Sequence, residues 1–141
     1  MLKMLVPVDG SESAMRAVNH LVGMSGWYRV PVEIHLLNVQ YPLHGDVRMF
    51  VNDEQVRSFH HDEGLKALEA ARNALEGAGI PHVFHIGVGD PAEVIAQYAR
   101  EKGCDQIFMG TRGLGRIAGM LLGSVATKVI HLTNVPLLLV K

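Results

Sequence analysis

Residues 105–124 read DQIFMGTRGLGRIAGMLLGS: a short apolar run, then a stretch with glycine at 110, 113, 115, 119 and 123 and no acidic residue after Asp105. Asp105–Met109 has the length and composition of a buried strand, and Ser124–Leu132 has the apolar spacing of a helix. A strand that hands over to a helix through bare backbone is the building unit of an α/β fold. Glycine weakens regular structure, so five in one stretch need a reason. Two compete: a flexible connection, or a loop whose backbone must come close to a ligand.

The same alternation runs outward from this stretch in both directions. Lys3–Val8 reads as a first strand that stops at Asp9-Gly10-Ser11. Ser11 suits an N-cap, and Ala14, Ala17, Val18, Leu21 and Val22 follow at helical spacing. Val30–Val39 reads as a second strand, positions 40–53 as irregular and polar, and about Asp53 to Gly79 as a long helix with Leu65, Leu68, Ala71 and Leu75 along its buried stripe. Pro81–Gly87 is the third strand. Asp90-Pro91-Ala92-Glu93 then starts a helix with an aspartate cap and proline in the first turn, and that helix closes near Lys102-Gly103. Val135–Val140 is the fifth strand. Repeated strand–helix alternation with apolar strands predicts one α/β domain over 1–141, a doubly wound, open, parallel five-stranded sheet of Rossmann-like type with helices on both faces.

Composition narrows the functions available. The chain has 141 residues, 48% of them hydrophobic and 19% charged, as expected of a single folded domain. A net charge of −1 gives no electrostatic case for nucleic acid or an anionic membrane as partner. One cysteine, Cys104, rules out an internal disulfide framework. The apolar part of MLKMLVPVDG is too short for a signal peptide, and no run approaches the ~20 apolar residues that span a bilayer, so the expected location is cytoplasmic.

In doubly wound sheets, ligands bind beyond the carboxyl ends of the strands. Two such loops stand out, VDGS after strand one and the glycine stretch after strand four. If the ligand carries phosphates, Gly110 and Gly113 bring backbone N–H groups close. Gly123-Ser124 opens a helix whose N-terminus favours anions, and Arg112 and Arg116 add positive charge. Known phosphate loops do not match. Gly110…Gly115 has the Walker A spacing but is followed by Arg116-Ile117, and Gly113-Leu114-Gly115 follows the wrong strand for a dinucleotide fingerprint.

Gly110, two residues, Gly113, nine residues, then Gly123-Ser124 resembles the ATP-binding signature of the universal stress protein family. The opening VPVDGS, the helix start GDPAEVI, the run DQIFMGTRG and the closing VPLLLVK agree in order, with residues 40–62 the weakest part. The resemblance implies a strand order of 3-2-1-4-5, which sets strands one and four side by side. It implies that Asp9, with Pro7 and Val8 beside it, faces the adenosine part of the ligand, and that Val39 contacts adenine through its backbone. Met109, Gly110, Arg112 and Gly113 would line the ribose and phosphate side, and Gly123, Ser124 and Val125 would bind phosphates. The implied function is an ATP-binding, nucleotide-responsive regulator of stress survival, with Mg²⁺ or Mn²⁺ bridging the phosphates. The competing readings are a slow ATPase or autophosphorylating enzyme, and a stress protein that works through partner contacts without nucleotide.

No nucleophile–base arrangement can be read from the residues, so no catalytic residue is assigned. VDGSES does not supply the SGGxDS loop of ATP pyrophosphatases. His85-Ile86-Gly87-Val88 lacks the second histidine of a nucleotidyl transferase HxGH motif and follows the wrong strand. The eight histidines lack metal-ligand spacing: His60 and His61 are helix neighbours that point apart, and no metal ligand is assigned. Val135–Val140 is apolar on both faces, and as an edge strand it invites pairing with a second copy. The family resemblance also implies a homodimer there.

Overall fold

The structure, a computed structural model, describes residues 1–113 and 121–141. Gly115, Arg116 and Gly119, which the sequence reading drew into the glycine stretch, lie outside the described residues. The strands are β1 (Leu2–Pro7), β2 (Val32–Gln40), β3 (His82–Val88), β4 (Gln106–Gly110) and β5 (Leu137–Val140). The α-helices are α1 (Glu12–Met24), α2 (Gly45–Arg48), α3 (Asp53–Gly77), α4 (Pro91–Lys102) and α5 (Ser124–Leu132). All strand pairs are parallel and the order is β3-β2-β1-β4-β5, so β1 and β4 are neighbours at the point where the order reverses.

Three prolines set where strands begin. Pro31, Pro81 and Pro136 each precede a strand by one residue. Lacking an N–H, each gives only its carbonyl, to Leu2 N (2.8 Å), Ile34 N (3.2 Å) and Ile107 N (2.9 Å) respectively. That is why β2 and β5 start two residues later than the apolar runs suggest. Helix starts follow side-chain capping. Ser11 accepts from Ala14 N at 3.1 Å, and Asp90 accepts from Glu93 N at 3.1 Å. Asn52 and Gln55 form a reciprocal capping box at the head of α3. Gly103 ends α4 in the left-handed region (φ 63°). The segment expected to be irregular and polar contains the one-turn α2 and exposes Val47, Met49 and Phe50.

The core has two layers. Met4, Val6, Leu36 and Phe108 face α1 and α3, whose Val18, Leu21, Leu68 and Leu75 cover them. Leu5, Leu37, Ile107 and Met109 face α4 and α5, covered by Ile95, Ala99 and Val129. One polar chain crosses the second layer. His35, 6% exposed, bonds Tyr98 Oη through Nδ1 (2.9 Å) and Glu33 Oε1 through Nε2 (2.7 Å). Burial raises the Tyr98 hydroxyl pKa above its ordinary value and does the same to the neighbouring Cys104 thiol, which keeps that thiol protonated and unreactive. Among the described residues no helix is long and apolar enough to cross a membrane.

Candidate functional site

The carboxyl ends of β1, β2 and β4 open into one cleft of about 820 Å³, within the range of small-molecule sites. All eleven residues singled out in the sequence line it. Pro7, Val8 and Asp9 come from the end of β1, Val39 from β2, and Met109, Gly110, Arg112 and Gly113 from the end of β4. Gly123, Ser124 and Val125 form the head of α5. The β1–β4 adjacency brings the two loops together.

Asp9 follows β1, the strand between β2 and β4. Its Oδ1 accepts from Ser11 N at 2.9 Å, a local turn that holds the carboxylate at the crevice. On the β4 side, Arg112 N donates to Ser13 Oγ at 3.2 Å, and Arg112 Nε is buried with no partner among the described residues. A buried, unpaired guanidinium N–H is costly unless an acceptor joins it, so the site has room for an anionic or oxygen-rich partner here. Ser124 is exposed at the first position of α5, where the leading N–H groups have no intrahelical acceptor. Gly123 N, in contrast, is committed to Thr111 O at 2.6 Å. The donors α5 offers therefore begin at Ser124.

The glycines also serve packing within the chain. A Cβ on Gly110 would fall on Ser13, 2.5 Å from its backbone carbonyl oxygen. One on Gly123 would lie 3.3 Å from both Thr111 O and Arg112 Cα, and one on Gly113 would lie 2.9 Å from Asp9 Oδ2. The bare sides of these residues face protein: they let β4, α1 and the α5 start close on one another. Gly113 does not have positive φ. The backbone edge of these residues is left turned to the cleft.

Sequence reasoning missed the opposite wall. Asn38 and Gln40, on the α3-facing side of β2, line the cleft together with Glu63 and Lys66 of α3. Glu63 and Lys66 pair at 3.2 Å near solvent. Two polar residues at i and i+2 at the end of an apolar strand were the available signal. At the α4 edge, Pro91 lines the cleft, and Asp90 beside it binds Lys128 Nζ of α5 at 3.0 Å. The Lys128 hydrogen bond, and then the Glu93 N–H, hold the Asp90 carboxyl below the usual carboxylate range.

The universal stress protein family model matches residues 1–141. Universal stress protein YxiE of Bacillus subtilis is 32% identical, over 99% of this chain and 98% of its own length. The structure of protein MJ0577 of Methanocaldococcus jannaschii superposes with a TM-score of 0.85 at 32% identity, covering 99% of this chain and 95% of that one. A universal stress protein solved in complex with cAMP gives a TM-score of 0.71 at 27% identity, covering 99% and 97% of the two chains. The chain belongs to the universal stress protein family.

Proposed function

We propose that the cleft binds an adenine nucleotide, ATP in the first instance, and that the protein acts as a nucleotide-responsive regulator of stress survival. The observation that carries this is the order of chemistries along the cleft. At the β4–α5 end, Arg112 and the open N–H groups from Ser124 onward suit phosphate oxygens. At β1 the fixed Asp9 carboxylate, an acceptor only, suits sugar hydroxyls and repels phosphate. At the end of β2 the Val39 backbone is left for the base. A relative at 27% identity that was solved with cAMP supports a nucleotide as the occupant. Where Mg²⁺ or Mn²⁺ accompanies ATP, the exposed Ser124 hydroxyl would hold it against the phosphates and the ion would offset their charge.

The test is to denature the purified protein, identify any released nucleotide by ion exchange, and titrate nucleotide-free protein with ATP by calorimetry. Micromolar binding is expected. Gly113→Ala should weaken it at least about tenfold, because the new methyl group would displace the Asp9 carboxylate 2.9 Å away. Unchanged affinity in that variant would remove Asp9 and Gly113 from the site. No heat with any adenine nucleotide would end the reading. The outer edge of β5, unpaired among the described residues, suits an isologous dimer in a continued sheet, and sedimentation velocity should find twice the chain mass.

A further inference from the structure

We infer that Gln40 is the specificity-determining residue for the base, its side-chain carbonyl held as an acceptor for an exocyclic amino group; the inference rests on the nucleotide reading above. Two bonds in series fix it. Val8 lies just past the paired part of β1, and its carbonyl can only accept. Asn38 Nδ2 donates to it at 2.8 Å, with Asn38 only 2% exposed. That commitment turns Asn38 Oδ1 toward Gln40, whose Nε2 donates to it at 2.7 Å. The amide of Gln40 is thereby oriented from a main-chain carbonyl outward, and a flip would set carbonyl oxygen against carbonyl oxygen. Its Oε1, with no partner among the described residues, is left at the cleft wall. The backbone beneath is pinned as well, because Gln40 O accepts from Gly89 N at 2.9 Å.

Position and chemistry then agree. Gln40 is on β2, two strand spacings (about 10 Å) from β4 and the anion-binding end, a distance that a nucleoside bridges. At that distance an acceptor with no competing donor favours a base bearing an amino group over one lacking it. Glu63 also reaches this wall, but it is paired with Lys66 and open to solvent.

The probes are ATP and purine riboside triphosphate, which differ only by the 6-amino group, titrated calorimetrically against the full-length protein. Wild type should prefer ATP about tenfold, the value of one well-placed hydrogen bond in a partly desolvated site. Gln40→Leu should lose that factor for ATP and leave binding of purine riboside triphosphate unchanged, bringing the ratio close to one. Glu63→Gln should keep the wild-type ratio. Thermal melting of both variants checks that the fold persists. A Gln40→Leu protein that is folded and still prefers ATP overturns the inference while the nucleotide reading stands, as does collapse of the ratio in Glu63→Gln. Failure of wild type to bind either nucleotide overturns both.

Discussion

Replacing Gly110 by alanine tests the packing that shapes the cleft. The added methyl would lie 2.5 Å from the carbonyl carbon and oxygen of Ser13, in the first turn of α1. An ordinary contact needs about 3.5 Å, so β4 and α1 must part by about 1 Å. Both neighbours are main chain and cannot swing aside as a side-chain end can. The Arg112 N–Ser13 Oγ bond of 3.2 Å, which ties the start of the glycine stretch to α1, lengthens with them. Overpacking of this kind costs about 1–3 kcal/mol, and rigid neighbours put it near the top of that range. For a chain of this size each kcal/mol is worth roughly 3–4 °C, so Tm should fall by about 10 °C. Gly23→Ala is the control. Gly23 lies exposed in α1 with nothing within 4 Å of a new Cβ, and a helical alanine there should raise Tm by about 2–3 °C. Circular-dichroism melts of the three proteins read both signs. A Gly110→Ala protein that melts within about 2 °C of wild type would refute the claim that this glycine serves chain packing.

Two further outcomes follow from side-chain networks. Tyr98→Phe leaves His35 Nδ1 buried without its partner and should cost about 1–3 kcal/mol in urea unfolding. Asp90→Asn keeps the helix cap but loses the Lys128 pair. Because the folded Asp90 pKa is depressed, first by Lys128 and then by the Glu93 N–H, its contribution is present above the unfolded carboxylate value of about 3.9 and is lost as pH falls through the folded value. The Tm difference between wild type and Asp90→Asn should therefore be flat from about pH 7 to 5 and shrink below about pH 4.

Much of this architecture was legible because local chemistry and the global fold agree. Ser11, Asp90 and Gly103 name their helix ends by what their side chains, or lack of one, can do. The two loops of the cleft could be picked out because they follow strands in an alternating pattern. The far wall was not legible. Glu63 and Lys66 read as the solvated face of a helix, and only the packing of α3 against β2 carries them to the cleft. Nor does a glycine in a sequence tell which way its bare side faces. At 110 and 123 it faces neighbouring chain, which the residue order cannot reveal.

On the proposed reading, the same geometry fixes how a nucleotide must lie. Turned end for end, it would set its phosphates beside Gln40 Oε1 and the Glu63 carboxylate, which accept hydrogen bonds but give none back, and the Lys66 ammonium at that wall is already paired with Glu63. Asp9 would remain under the sugar in either direction, since β1 lies between β2 and β4, so it does not discriminate. The choice falls to the ends: an oriented amide carbonyl on β2, and on the β4 side a guanidinium N–H and a helix N-terminus that lack acceptors among the described residues. Burying phosphate against acceptors costs several kcal/mol, whereas at the α5 end the same charge satisfies the buried Arg112 N–H and meets the open N–H groups of the helix start. Orientation is thus set before any contact with the base is counted, and Gln40 is left to choose among bases already placed at its end.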